Sequence, residues 1–435
     1  MTDDVFVMRD VMVPMRDGVC LATDVYLPHE GSAGLPALLT RTPYGRSERA
    51  VARSNMPAFG RYFAQHGYAV VVQDTRVRYG SQGTWSMLTT DGPDGADTCA
   101  WIAAQPWSNG SIGMFGTSYP GGTQHAVALE GAPALKTVIP VDAVSNAGRF
   151  GMRYGGAYEL RFWNWIMTGG NDESWSGVDT PARPALNAMS RDRRHYLLNL
   201  PLLPGTTPLK HIPEYEAWLV EAMRHGANDA FWSQNAILDA PEKYQDMPVY
   251  LVGGWYDSWT INTTANYVAL SKTIKGPVYL IMGPWVHGQH DASAHGQVSF
   301  GPHAAIADPL AWRRGWFDHW LKGTDNSVGN SAPFASPVRI FVMGTGDGSK
   351  TEAGQLDHGG YWRDEQEWPL ARRIETPFYL HGDGSLSTAP PVETASSTAY
   401  DFDPRDPVPS IGGNVSSADG ILVQGGYDQR GGEHI

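Results

Sequence analysis

A serine can act as a nucleophile where a sharp backbone turn lifts its hydroxyl clear of its neighbours. The stretch Gly116-Thr117-Ser118-Tyr119-Pro120-Gly121 has residues suited to such a turn. Gly116 and Ser118 fit the start of the G-x-S-x-G elbow, while the second glycine is displaced to Gly121 and Pro120 stands in its place. Small residues are needed there because a strained strand-to-helix turn brings neighbouring backbone into contact. An apolar run over 111–115 precedes the serine and helix-compatible sequence follows it. The bland reading is a glycine-rich turn with a bystander serine, and the motif in isolation does not separate the two.

A serine hydroxyl stays protonated and weakly nucleophilic unless a base takes its proton and a carboxylate orients that base. Two later apolar runs end next to suitable groups. Val252-Gly253-Gly254 is followed by Trp255-Tyr256-Asp257, and Ile281-Met282-Gly283 by Pro284-Trp285-Val286-His287. Both are read as the first polar positions past a buried strand, and the chain order is Ser, Asp, His. Each has an alternative: Asp257 could cap a helix over 258–269, and His290, His295 and His303 are local rivals of His287. His287 is preferred because it directly follows the strand. A metal pair made of His287 and His290 is a remote option.

The elements that must position these groups are legible from hydropathy. Residues 5–14 and 19–28 are β-branched runs around Arg16-Asp17-Gly18, a hairpin whose turn needs positive φ at glycine. Short runs apolar on both sides of the pleat follow at 36–40, 68–73, 111–115, 135–141, 248–253 and 277–282, as in a parallel sheet covered on both faces. Helical segments such as 94–104 and 123–130 alternate with them, which implies an α/β sheet. Residues 144–246 lack a good strand and are rich in Trp and Tyr, as an inserted cap would be. Residues 323–337 read as a linker, and after 337 short strand-like runs among Gly, Pro, Asp and Ser indicate an all-β unit. Residues 344–351 resemble a P-loop superficially but have Ser349 before Lys350, so a hairpin loop is expected.

Composition bounds the function. In 435 residues, 42% are hydrophobic and 11% aromatic, enough for more than one core. A net charge of −13 leaves no basic face for nucleic acid. Cys20 and Cys99 offer neither a disulfide framework nor zinc spacing. The acidic start has no signal-like pattern, and no apolar span reaches membrane length, so a cytoplasmic protein without a membrane partner is expected.

Several motifs in order carry a resemblance. Gln73-Asp74-Thr75-Arg76, residues 101–107, Gly113-Met114-Phe115-Gly116-Thr117-Ser118-Tyr119, Gly254-Trp255-Tyr256-Asp257 and Gly283-Pro284-Trp285-Val286-His287 together resemble the X-prolyl dipeptidyl peptidase and cocaine-esterase family of serine acyl hydrolases. The likeness runs from the N-terminal hairpin to at least Gly323 and is weaker beyond. It implies an α/β-hydrolase domain over 1–145 and 246–325, an inserted helical cap over 146–245 and a jelly-roll-like β domain over 335–435. About eight strands make a jelly roll, so roughly 100 residues are expected to leave it incomplete. The family also implies an oxyanion hole made by the Tyr119 N–H and, from the match Thr42-Pro43-Tyr44-Gly45, by the Tyr44 phenol. Such donors contribute about 3 kcal/mol each to the transition state.

One departure bears on substrate. Relatives that hydrolyse α-amino acid esters carry a carboxylate pair just after the catalytic aspartate, whereas here Ser258-Trp259-Thr260 follows Asp257. The expectation is therefore an ester hydrolase with Ser118, Asp257 and His287 as triad and no cofactor or metal. Its partner is a small-molecule ester; a homodimer is left open. An X-prolyl dipeptidyl peptidase or α-amino acid ester hydrolase is the alternative, with Asp172 and Glu173 as candidate carboxylates. A non-catalytic binding protein, the remote option, would be expected to have lost a triad member. Tyr154, Tyr158, Phe162 and Trp165 fall at i, i+4, i+8 and i+11, one face of a helix near Phe150 and Trp175. That aromatic face packs the cap's own core or walls the site. Phe150, Trp163, Trp165 and Trp255 are the pocket candidates.

Overall fold

A computed structural model describes residues 5–47, 55–168, 193–198, 201–325, 336–392, 399–415 and 423–430, with 184–185, 188–189, 334 and 397. The chain opens with β1 (Phe6–Pro14) and β2 (Cys20–Leu27), an antiparallel hairpin turned at Gly18, φ 84°. Then come β3 (Leu35–Thr42), α1 (Met56–Gln65), β4 (Ala69–Asp74), α2 (Asp91–Ala103), β5 (Ser108–Thr117), α3 (Tyr119–Glu130) and β6 (Leu135–Val141). The cap region holds a two-residue-stranded hairpin, β7 (Arg153–Tyr154) and β8 (Ala157–Tyr158), then α4 (Leu160–Thr168) and a helix over Pro213–Arg224. The sheet resumes at β9 (Val249–Tyr256), the helix Thr260–Thr273, β10 (Val278–Val286) and the helix Pro309–Lys322.

The ten-stranded sheet runs β1-β2-β4-β3-β5-β6-β9-β10 and then two further strands. From β4 through β10 neighbouring strands are parallel. Their residues are buried almost throughout, as the unalternating apolar runs require when helices cover both faces. On one face Cys99, Ile102, Val127, Tyr267 and Leu270 close over the strands; on the other, Phe63, Trp312, Trp316 and Phe317 do so. Each large side chain buried this way stabilises the fold by about 1.5–3 kcal/mol. A Cβ on Gly113 would stand 2.7 Å from the Phe317 ring, so this strand must be bare where the helix crosses it.

Two expectations change. Tyr154 and Tyr158 do not share a helix with Phe162 and Trp165: Gly155 and Gly156 take φ 56° and 90° and turn the chain into the β7–β8 hairpin, so the helix begins at Leu160. A pair of glycines at positive φ favours a tight hairpin over continued helix. Trp175, Asp172 and Glu173 lie outside the described residues.

The expected β unit over 335–435 also divides differently. Its first strand, β13 (Val338–Met343), runs parallel to β10, and β15 (Gly360–Glu365) pairs antiparallel to β13, so both extend the central sheet. Buried Val338, Ile340 and Phe341 draw β13 onto the edge of β10. Residues 344–351 lie in the loop that departs from β13, with Lys350 bridged to Leu356, and are not a phosphate cradle opening a helix. Of the other strands, β14 (Leu356–Asp357) joins β12 (Val298–Ser299) and β11 (Ala294–His295), which lie before residue 335, in a small sheet, and β16 (Tyr379–Leu380) pairs with β17 (Leu386–Ser387) in another. Beyond Glu365, Ile374, Phe378, Leu380, Val392 and Tyr400 are exposed. Among the described residues no helix is long and apolar enough to cross a membrane.

Candidate active site

Five neighbouring strands, β3-β5-β6-β9-β10, end on the same edge of the sheet, and each delivers a polar group just past its last residue. Ser118 follows β5, Asp142 follows β6, Asp257 follows β9, His287 follows β10, and Tyr44 lies two residues past β3. Ligand and catalytic groups collect at the carboxyl ends of parallel strands because loops there are free to vary while the sheet fixes their origins.

Ser118 sits at φ 68°, ψ −119°, a conformation costly for a residue with a side chain, between the end of β5 and the first residue of α3. Its N–H donates to Val141 O at 2.9 Å, and its carbonyl accepts from Gly122 N at 2.9 Å and Val144 N at 3.3 Å. The turn leaves no room for larger residues. A Cβ on Gly116 would lie 2.4 Å from Pro120 Cβ, and one on Gly121 would lie 2.9 Å from Val141 O. The displacement of the second glycine is thereby explained: Gly121, not residue 120, faces the neighbouring strand end.

His287 Nδ1 lies 2.7 Å from Asp257 Oδ1. The other carboxylate oxygen of Asp257 accepts the Trp259 N–H at 3.0 Å. Asp257 is fully buried and the His287 side chain about one-fifth exposed, so the carboxylate is sealed and the imidazole keeps an open edge. Burial pushes the imidazole down, but the charges of Asp257 and Asp142 and the hydrogen bond to Asp257 outweigh it and raise its pKa above 6.5. Burial, then the charge of Asp142, raises the Asp257 carboxyl. Gly288, beside the base, at φ 73°, would place a Cβ 4.0 Å from Thr117 Cγ2, so the histidine loop abuts the residue before the serine.

The rival histidines are placed elsewhere around the site. His290 Nε2 lies 2.9 Å from Asp142 Oδ2. His303 Nε2 meets Gly360 O at 2.9 Å, and burial lowers His295 to about 4. Asp142 also accepts the Gly288 N–H at 2.8 Å and lies 3.9 Å from His287 Nδ1. Sequence reasoning passed over Asp142, although it too directly follows a buried strand, as Asp257 and His287 do. Asp142, Asp257 and His287 are close enough, within 4.8 Å, to be considered for a cation; their hydrogen bonds to one another and to backbone already account for that closeness.

Tyr119, first residue of α3, belongs to the turn of N–H groups that has no acceptor within the helix and carries the positive end of its dipole. Its phenol is buried, donates to Asp91 Oδ2 at 2.8 Å and accepts Leu88 N–H at 3.2 Å, which pins the helix start. Tyr44 is half-buried against the cap's apolar cluster. Its N–H donates to Thr42 Oγ1 at 3.0 Å, its carbonyl accepts from Tyr79 Oη at 2.8 Å, and Arg78 Nε holds Pro43 O at 2.8 Å.

The pocket candidates separate. Trp165 stacks on Tyr119, ring centroids 6.3 Å apart, which puts it beside the serine's neighbour. Trp163 is buried in the cap cluster. Phe150 is partly exposed, and its carbonyl accepts from Asn262 Nδ2 at 2.6 Å. Trp255 is not brought to the others: its indole donates to Phe341 O at 2.8 Å and packs on Trp368, on the side of β13. Residues not foreseen lie closer. Trp259, fully buried two residues past Asp257, inserts where a Cβ on Gly151 would stand 2.1 Å from its ring. Arg161 lies 4.7 Å over that ring and pairs with Glu159 at 3.1 Å, and Tyr154 Oη donates to Ser258 O at 2.8 Å. The segment 154–161 is thus bolted to the loop that follows Asp257. A cavity of about 240 Å³ opens between the 86–89 loop and the cap, lined by Met87, Leu88, Met152, Trp218 and Phe231 among others.

A parallel sheet carrying a strained serine turn, a buried carboxylate and a histidine on strand ends along one edge defines a serine hydrolase of the α/β-hydrolase fold. Residues 17–289 match the model of the X-Pro dipeptidyl-peptidase (S15) family, and the chain belongs to that family. It is 32% identical to a cocaine esterase of a Rhodococcus species over 98% of this chain and 72% of that one. Two solved structures align over most of it. An α-amino acid ester hydrolase shares 26% identity, TM-score 0.63, covering 90% of this chain and 64% of its own. An aminopeptidase from a marine sediment Thaumarchaeota archaeon shares 25%, TM-score 0.64, covering 93% and 66%. The chain therefore spans about two thirds of the length of these structures.

Proposed function

We propose that the chain hydrolyses carboxylic esters through an acyl-enzyme on Ser118. Ser118 Oγ attacks the ester carbonyl carbon while His287, oriented by Asp257, takes its proton. The Tyr44 phenol and Tyr119 N–H donate to the oxyanion. The carbon–oxygen bond to the alcohol then breaks as His287 returns the proton to the leaving oxygen, and water repeats the sequence to release the acid. The observation that carries this reading is the 2.7 Å contact of His287 Nδ1 with buried Asp257, on strand ends next to the strained Ser118 turn. Residues 146–245 serve as the cap over this site. The cytoplasm is the compartment we infer, a reducing environment in keeping with the two unpaired cysteines, Cys20 and Cys99.

An apolar acyl group is favoured over an amine-bearing one. Trp165 stacks on Tyr119, and Glu159, a carboxylate close enough to act on Asp257, is committed to Arg161 and Ser258. A buried substrate ammonium would need a carboxylate whose charge is not already paired. The test is kcat/KM for matched phenylacetyl and phenylglycyl esters. The phenylacetyl ester is expected to be the better substrate. A tenfold or greater preference for the amino compound would instead favour the α-amino acid ester or X-prolyl peptide reading.

A further inference from the structure

Asp142 is buried at the end of β6 at φ 43° and is not needed by the triad as described. Its N–H donates to Val252 O at 2.9 Å, which wedges it between β6 and β9. Oδ2 accepts the Gly288 N–H at 2.8 Å and faces His290 Nε2 at 2.9 Å and His287 Nδ1 at 3.9 Å, while Oδ1 is buried with no hydrogen-bond partner among the described residues. An asparagine could also accept the Gly288 N–H and suits the same positive φ. What only aspartate brings is a charge, and burying a charge is costly unless something is gained from it.

We propose that Asp142 is a second acid for the catalytic base, a positioning residue whose carboxylate, anchored by the Gly288 N–H and facing His290 and His287, fixes the 287–290 loop and presents a second negative charge to the His287 ring. The proposal rests on the triad reading above. Other charges face the same place and set the background. Asp257 and Arg161 act on His287, and Asp142 in turn acts on Arg313, buried under the opposite side, whose own environment includes Asp291. Burial disfavours the Asp142 carboxylate, but His290, His287 and Gly288 outweigh that and hold it below the ordinary carboxylate range. It is thus ionised wherever His287 titrates.

The test is the pH dependence of kcat/KM for a nitrophenyl ester in the wild type, Asp142→Asn and Asp142→Gly. Glycine also accepts the positive φ and serves if the asparagine variant does not fold. Loss of an opposite charge about 4 Å away should move the acid limb down by roughly one pH unit. A limb that stays in place in a folded variant overturns the proposal, because a purely structural Asp142 would change stability and not the limb. Activity that does not need Ser118 would instead sink the triad reading, so the two failures are distinguishable.

Discussion

His287 Nδ1 and Asp257 Oδ1 lie 2.7 Å apart across the ends of two adjacent parallel strands, β10 and β9. The hydrogen bond sets the tautomer that leaves Nε2 free to accept a proton. Activity requires the neutral ring, and the raised pKa means the protonated ring persists above pH 6.5. The acid limb of kcat/KM should therefore have its midpoint above 6.5, with activity lost as pH falls through it. Asp257→Asn should lower kcat by about 10³- to 10⁴-fold, since it allows the wrong tautomer. A midpoint at or below 6.5 would contradict the assigned charges around the ring.

The Tyr44 phenol is assigned to the developing oxyanion, an interaction strongest in the transition state. Tyr44→Phe should lower kcat by roughly 10²-fold with KM little changed. Steady-state kinetics on a nitrophenyl ester checks this, and an unchanged kcat would remove Tyr44 from the site.

Gly121 is where the elbow departs from the usual glycine spacing, and its surroundings make it indispensable. An added Cβ would meet Ala143 Cβ at 2.8 Å and Val141 O at 2.9 Å. Gly121→Ala should force α3 away from the end of β6, at about 1–3 kcal/mol of stability, and move Ser118 with it. Thermal unfolding with kcat on the same sample should show both losses; wild-type values for both would mean the turn is looser than described.

How much of this was legible in the sequence depended on whether a group announces itself locally. Ser118, Asp257 and His287 each follow an apolar run, and the parallel sheet turns that position into proximity. The elbow glycines were visible for the same reason, although only the fold shows why Gly121 replaces the usual position. Asp142 follows such a run too, but its partners Gly288 and His290 lie about 150 positions on, and spacing carries no trace of that contact. In the cap, apolar periodicity pointed to one long helix through Tyr154 and Tyr158. The conformational freedom of Gly155 and Gly156 decided otherwise. Trp255 is among the pocket candidates, yet its indole reaches toward β13, a strand expected to belong to another unit. Long-range docking of that strand onto β10 was invisible because β13 resembles any short exposed-unit strand until its buried face has a partner.

The most direct measurement of the central claim is covalent labelling with a fluorophosphonate, which reacts with a serine activated by a neighbouring base. Peptide mass spectrometry should place one adduct on Ser118, in parallel with loss of nitrophenyl-ester hydrolysis. Ser118→Ala should fold normally, take up no label and lose at least about 10³-fold in kcat. An adduct elsewhere, or a folded Ser118→Ala protein turning over the ester near the wild-type rate, would contradict the account.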